Sequence, residues 1–120
     1  MILFISILNM CGIVGEWNPR GVDKDHFLKS VHALNHRGPD NQDFFESEDF
    51  TVGHNRLSII DPSPAGHQPM ISKDQRYVLS YNGEVYNYKE LRIELESYGY
   101  LFRSNTDSEV VLYSIIEWGN

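Results

Sequence analysis

Met10-Cys11-Gly12-Ile13-Val14-Gly15 places the only cysteine of this 120-residue chain directly behind an internal methionine. If translation starts at Met10 and that methionine is trimmed, Cys11 becomes the first residue and carries both a thiol and a free α-amine. An α-amine titrates near ~8, so it accepts a thiol proton close to neutral pH, which an amide nitrogen inside a chain cannot do. The usual fate of a lone cysteine is structural burial. The position behind a methionine and before a glycine favours the nucleophile. Ile13-Val14-Gly15-Glu16-Trp17 then reads as a short buried strand that would hold this residue at its edge.

Composition sets the frame. Hydrophobic residues make up 41% and charged residues 22% of the chain, as in an ordinary globular domain of this length. A net charge of -7 leaves no basic stripe to neutralise phosphates, so no nucleic-acid partner is expected. One cysteine forms no internal disulfide, which suits a reducing cytoplasm. The first nine residues are apolar and uncharged, but a bilayer span takes about 20 residues, and no basic start or small-residue cleavage site is present. Residues 1–10 are therefore expected to be a mis-assigned start, a short leader or a propeptide. A retained first strand is disfavoured because it would leave the cysteine nitrogen acylated.

The rest of the chain reads as strands grouped with helices, an α+β pattern. Asn18-Pro19-Arg20-Gly21 is turn chemistry, and Asp23 caps a helix bearing Phe27, Leu28, Val31 and Leu34 that Gly38-Pro39 stops. Phe44-Phe45-Glu46 and Phe50-Thr51-Val52-Gly53-His54 read as paired strands about Ser47-Glu48-Asp49. Leu57-Ser58-Ile59-Ile60 is a further β-branched run before a proline-rich loop. Tyr77 to Tyr81 alternates as a strand and ends at Asn82-Gly83. Asn87 with Glu90 resembles a capping box for a helix with Leu91, Leu95 and Tyr98 inward, closed by Gly99. Tyr100-Leu101-Phe102-Arg103 is a strand candidate. Thr106 to Glu109 repeats the capping pattern for a last helix bearing Val111, Leu112, Ile115 and Ile116.

Polar clusters fall at the ends of these elements. Arg56, inside an apolar strand end, calls for an anionic partner; its fork suits a carboxylate, including that of an amino acid, and a salt bridge to Asp61 or Asp40 is the alternative. Asn82-Gly83 is a strong hairpin signal. The same pair also offers a side-chain and a backbone N–H that can hold an oxyanion. Thr106-Asp107 is a helix cap, or else presents Asp107 to a ligand ammonium with Glu84 as a second anion. His32 and His36 stand four apart on the expected helix without a third ligand, so no metal site is expected.

In this order the clusters resemble the glutamine-hydrolysing domain of class II glutamine amidotransferases, among the N-terminal-nucleophile hydrolases. His36-Arg37-Gly38-Pro39-Asp40, Arg56-Leu57-Ser58-Ile59-Ile60-Asp61, Ala65-Gly66-His67-Gln68-Pro69-Met70 and Asn82-Gly83-Glu84-Val85-Tyr86-Asn87 are similar to the asparagine synthetase branch. The resemblance implies a four-layer αββα sandwich with antiparallel sheets, truncated here on its C-terminal side, with residues 11–120 an incomplete amidotransferase domain. It implies Cys11 as nucleophile and its amine as base, with Asn82 and Gly83 as the oxyanion hole. Arg56 would take the glutamine α-carboxylate and Glu84 with Asp107 the α-ammonium. Leu57, Ser58, Ile59 and Ile60 would line the pocket.

The implied partners are L-glutamine and a downstream synthetase domain that amidates aspartate. No cofactor is expected in this domain, while ATP and Mg belong to that downstream domain. Other readings are a class II amidotransferase for another acceptor, such as a polysaccharide sugar or a peptide precursor, and a non-catalytic fragment that binds glutamine or a partner.

Overall fold

The computed structural model describes residues 10–119; the segment read as a leader or mis-assigned start lies, apart from Met10, outside the described residues. The chain runs β1 (Gly12–Trp17), α1 (Lys24–Ala33), β2 (Asn41–Glu46), β3 (Phe50–Arg56), a 3-10 turn at Pro64–Gly66, β4 (Met70–Ile71), β5 (Val78–Leu79), α2 (Tyr88–Ser97) and α3 (Asp107–Trp118). The α+β architecture with antiparallel sheets expected from the sequence is the one observed.

The first half is a three-stranded antiparallel sheet ordered β1-β3-β2, with β3 in the centre. Every residue of β3 from Thr51 to Arg56 is buried. Helix α1 begins where the Asp23 carboxylate accepts the His26 N–H, and it buries Phe27 and Val31. The Asn55 side chain donates to the Val31 carbonyl and ties helix to strand. The helix ends at Ala33, before the Gly38-Pro39 stop read from the sequence, and the 34–37 stretch continues as turns.

The second half packs α2 and α3 over the β4-β5 hairpin around Met70, Leu95, Val110, Leu112 and Tyr113.

Several local expectations change. Asn87 precedes α2 but makes no side-chain cap, so the expected capping box does not form there. Gly99 does close that helix, at φ +95, where an L side chain would be strained. Tyr98 is exposed rather than inward. In α3 the buried face is Val110, Leu112 and Tyr113, whereas Val111 is half-buried and Ile115 exposed.

Residues 100–103 are not a strand. The Glu109 carboxylate captures the N–H groups of Arg103 and Ser104, which a ladder would need. Tyr100 and Phe102 instead pack their rings on Tyr113. Glu109 thus abandons the reciprocal half of the capping box, although the Thr106 hydroxyl still accepts the Glu109 N–H.

Candidate active site

Cys11 immediately precedes β1, and the pairing of Gly12 with Asn55 sets it beside the end of β3. The Leu57 N–H donates to Cys11 Sγ at 3.2 Å, which orients the sulfur. The Cys11 carbonyl accepts the Asn82 side-chain amide at 3.0 Å and the Arg37 Nε–H at 3.5 Å. Residues 26 and 71 positions away therefore meet at this one peptide. Arg37 had no individual role in the sequence reading, because nothing in its own neighbourhood shows which carbonyl it will reach.

Arg56 is buried and forms neither of the salt bridges considered for it. Its guanidinium donates to the carbonyls of Ile60, Asp61 and Ser63. Asp40 instead accepts the Ser58 N–H, and the Asp61 carboxylate accepts the N–H groups of Ser63 and Asn105. Those donors hold Asp61 below the usual carboxylate range, Asn105 contributing most and the nearby Arg56 charge least.

This network explains why Leu57-Ser58-Ile59-Ile60 is not a strand. Three carbonyls bend inward to one cation, and Asp61 turns to φ +49. Of five guanidinium N–H groups, three are used on carbonyls, and among the described residues Nε–H and one on Nη1 have no protein acceptor.

Asn82-Gly83 is not a hairpin turn. Among the described residues no strand returns after β5, and neither residue has positive φ, which a type I′ turn would need at both. The β4-β5 turn lies earlier, where the Ser72 N–H bonds to the Tyr77 carbonyl and Gln75 takes φ +59.

The Gly83 N–H makes no backbone hydrogen bond among the described residues. A Cβ at Gly83 would run into the Tyr81 phenol ring, so the glycine admits Tyr81 to the site. Tyr81's hydroxyl is pushed above its ordinary pKa, mainly by burial and then by the Asp107 and Glu84 charges. Those two carboxylates therefore form one anionic corner. Asp107 is buried and accepts the Val85 N–H at 3.1 Å through Oδ2, fixing the 82–85 loop against the start of α3.

These groups surround a cavity of about 150 Å³. Cys11, Arg56, Leu57, Ile59, Ile60, Asn82, Gly83, Glu84 and Asp107 all reach its wall, so nine of the ten residues singled out from the sequence converge there. Ser58 does not; its backbone is held by Asp40 on the outside of the loop. Met10, Gln68, Tyr81, Thr106 and Ser108 also line it. The cavity is smaller than a drug-sized site and suits a small ligand such as one amino acid.

His54, two residues before Arg56 on β3, is fully buried, with Nδ1 2.7 Å from the Ser80 hydroxyl and Nε2 without a partner among the described residues. Burial, helped by the Arg56 charge, lowers its pKa to about 4 and keeps it neutral at pH 7. His32 and His36 are both exposed, and among the described residues no group of three metal-ligating side chains occurs. Among the same residues, no helix is long and apolar enough to cross a membrane.

An α+β frame thus gathers a thiol, amide donors and an anionic corner at one small cavity. Residues 10–120 match the family model described as "Glutamine amidotransferase domain", and the chain belongs to that family. Among curated proteins it is 43% identical over 86% of its length to asparagine synthetase [glutamine-hydrolyzing] 1 of Bacillus subtilis (strain 168). It is 38% identical over 91% to asparagine synthetase [glutamine-hydrolyzing] 3 of the same organism, and 35% over 92% to asparagine synthetase [glutamine-hydrolyzing] 1 of Arabidopsis thaliana. The chain spans 17%, 18% and 19% of the length of these three relatives.

Proposed function

We propose that this chain is the glutaminase part of a glutamine-hydrolysing asparagine synthetase. In this reading the Cys11 thiolate attacks the side-chain carboxamide carbon of L-glutamine. The reading rests on one observation above the rest: Cys11, Asn82, Gly83 and the Glu84–Asp107 corner, far apart in sequence, share one cavity sized for an amino acid.

The chemistry follows from the groups present. The Glu84 and Asp107 carboxylates receive the α-ammonium of glutamine, and the free Nε–H and Nη1–H of Arg56 are available to its α-carboxylate. The Cys11 amine takes the thiol proton, and the sulfur forms a bond to the carboxamide carbon. The carbonyl electron pair moves onto oxygen, where the second N–H of the Asn82 amide and the Gly83 N–H stabilise it. The C–N bond then breaks, the Cys11 ammonium returns its proton to the departing nitrogen, and ammonia leaves. Water, deprotonated by the same amine, attacks the remaining thioester and releases glutamate and the thiol.

Met10 bears on this directly. While it is attached, the Cys11 nitrogen is an amide, and Met10 forms part of the cavity wall. Its removal supplies the base and opens the site. A downstream synthetase domain would consume the ammonia in amidating aspartate. ATP and Mg act in that domain, and the residues here are assigned neither. A cytoplasmic location fits this chemistry and the unpaired cysteine.

Replacing Cys11 with Ala tests the assignment. Glutamine hydrolysis should disappear while the fold is kept; full activity in Cys11→Ala would refute it.

A further inference from the structure

Gln68 is buried in the proline-rich loop between β3 and β4, and both ends of its side chain amide are used. Its Oε1 accepts the Tyr81 N–H at 2.7 Å, and its Nε2 donates to the Ser108 hydroxyl at 3.1 Å. Tyr81 is the residue immediately before Asn82-Gly83, and Ser108 is the residue immediately after Asp107. The side chain thus spans the gap between the amide donors on one side of the cavity and the carboxylate on the other. A second tie joins the same two segments, from the Val85 N–H to Asp107 Oδ2. Two clamps, one at each end of the 81–85 stretch, fix that loop to the first turn of α3.

We propose, resting on the glutaminase reading above, that Gln68 is a positioning residue. It sets the separation between the oxyanion donors Asn82 and Gly83 and the ammonium-binding carboxylate Asp107, and so matches the cavity to the length of glutamine. The geometry favours this over simple loop packing. The 81–85 stretch lies outside any strand or helix, so no ladder fixes its distance from α3. The glutamine amide, with an acceptor and a donor at its tip, holds both partners at once. Methionine has a similar length and fills similar space but does neither. Donors in such a site must stand within a few tenths of an ångström of the position where charge develops, so loss of the clamp is felt in the reaction before it is felt in the fold.

The test uses the mature full chain and two substitutions, Gln68→Met and Ser108→Ala. Three quantities are read: glutamine kcat/KM, the alkylation rate of Cys11 by iodoacetamide, and the thermal midpoint. Iodoacetamide reports the sulfur and its surroundings without needing the head-group corner. Loss of both hydrogen bonds in Gln68→Met should lower kcat/KM about tenfold or more, and Ser108→Ala should lower it by a smaller factor. Alkylation should stay at the parent rate in both. Because the two changes break one shared contact, the double variant should be no worse than Gln68→Met alone.

An unchanged kcat/KM in Gln68→Met overturns the proposal, as does a parallel fall in kcat/KM and alkylation, which marks general disorder. If Gln68→Met does not fold, Ser108→Ala alone decides by the same two readings. Cys11→Ala is run alongside. Retained hydrolysis in that variant would defeat the glutaminase reading itself, whereas lost hydrolysis with a parent-like Gln68→Met defeats only the positioning role.

Discussion

Arg56→Lys separates two ways in which a buried cation can serve this domain. The charge is retained, but the planar fork is lost. In the structure Arg56 is 4% exposed, and its guanidinium donates to three backbone carbonyls, those of Ile60, Asp61 and Ser63. A lysine ammonium has three N–H groups but sits at one point; placed where Nη2 is, it reaches Ile60 and Asp61 and leaves the Ser63 carbonyl, which Nη1 served, without its donor. Hydrogen bonds from a charged donor contribute roughly 1.5–3 kcal/mol each, so losing one costs about that much. That is a sizeable share of the ~5–15 kcal/mol typical of a domain.

The loss is also transmitted to the sulfur, since the loop that Arg56 gathers begins at Leu57, whose N–H orients Cys11 Sγ. Urea unfolding followed by tryptophan fluorescence, together with glutamine hydrolysis rates, reads both effects. Arg56→Lys should unfold at clearly lower urea and lose kcat/KM. A stability within about 0.5 kcal/mol of the parent would refute the carbonyl-bracket reasoning, because surface-like substitutions behave that way.

Three further outcomes follow from the site. Asn82→Ala removes one proposed oxyanion donor and should lower kcat about a hundred- to a thousand-fold. Urea stability should change by no more than about 1 kcal/mol, since the lost contact to the Cys11 carbonyl is exposed; a change confined to stability would return Asn82 to a structural role. His54, with its pKa lowered to about 4, stays neutral in the folded protein where the unfolded chain binds a proton. Stability should therefore fall as pH drops below 6.5, by about 2 kcal/mol at pH 5, and level off below about 4. In His54→Gln that loss between pH 6.5 and 5 should be absent, and an equal slope in both proteins would contradict it. Asp107→Asn keeps an acceptor for the Val85 N–H but removes the charge, so glutamine KM should rise several-fold with little change in stability; an unchanged KM would take Asp107 out of the ammonium site.

Much of the frame was legible in the chain. The Asp23 cap, the Phe44 and Phe50 strands and the acidic turn between them are local signals, and local physics decides them. The errors share one cause, which is that a distant group takes the backbone hydrogen bonds a local pattern assumes. Arg56 pulls the Leu57–Ile60 run out of extended form. Glu109 claims the N–H groups of Arg103 and Ser104 at the end of the Tyr100–Arg103 run, which would have been a strand. Asn82-Gly83 has the composition of a hairpin, yet its side chain is anchored at Cys11.

Site residues were found where the residue type was itself unusual: a lone cysteine, an arginine in an apolar strand end, acids at loop ends. Arg37 and Gln68 stood inside motifs of the resemblance but had no role of their own, because their meaning lies in partners 26 positions away for one and 13 and 40 for the other. Tyr81 was read only as the last residue of a strand, and its place over Gly83 depends on a turn that does not form.

The α-amine of Cys11 is the most exposed point of the whole mechanism. Peptide sequencing and intact mass of the glutamine-hydrolysing form isolated from cells test it directly. The expected first residue is Cys11, with an unmodified amino group. Full glutamine hydrolysis by a form in which Met10 still precedes that cysteine would contradict it.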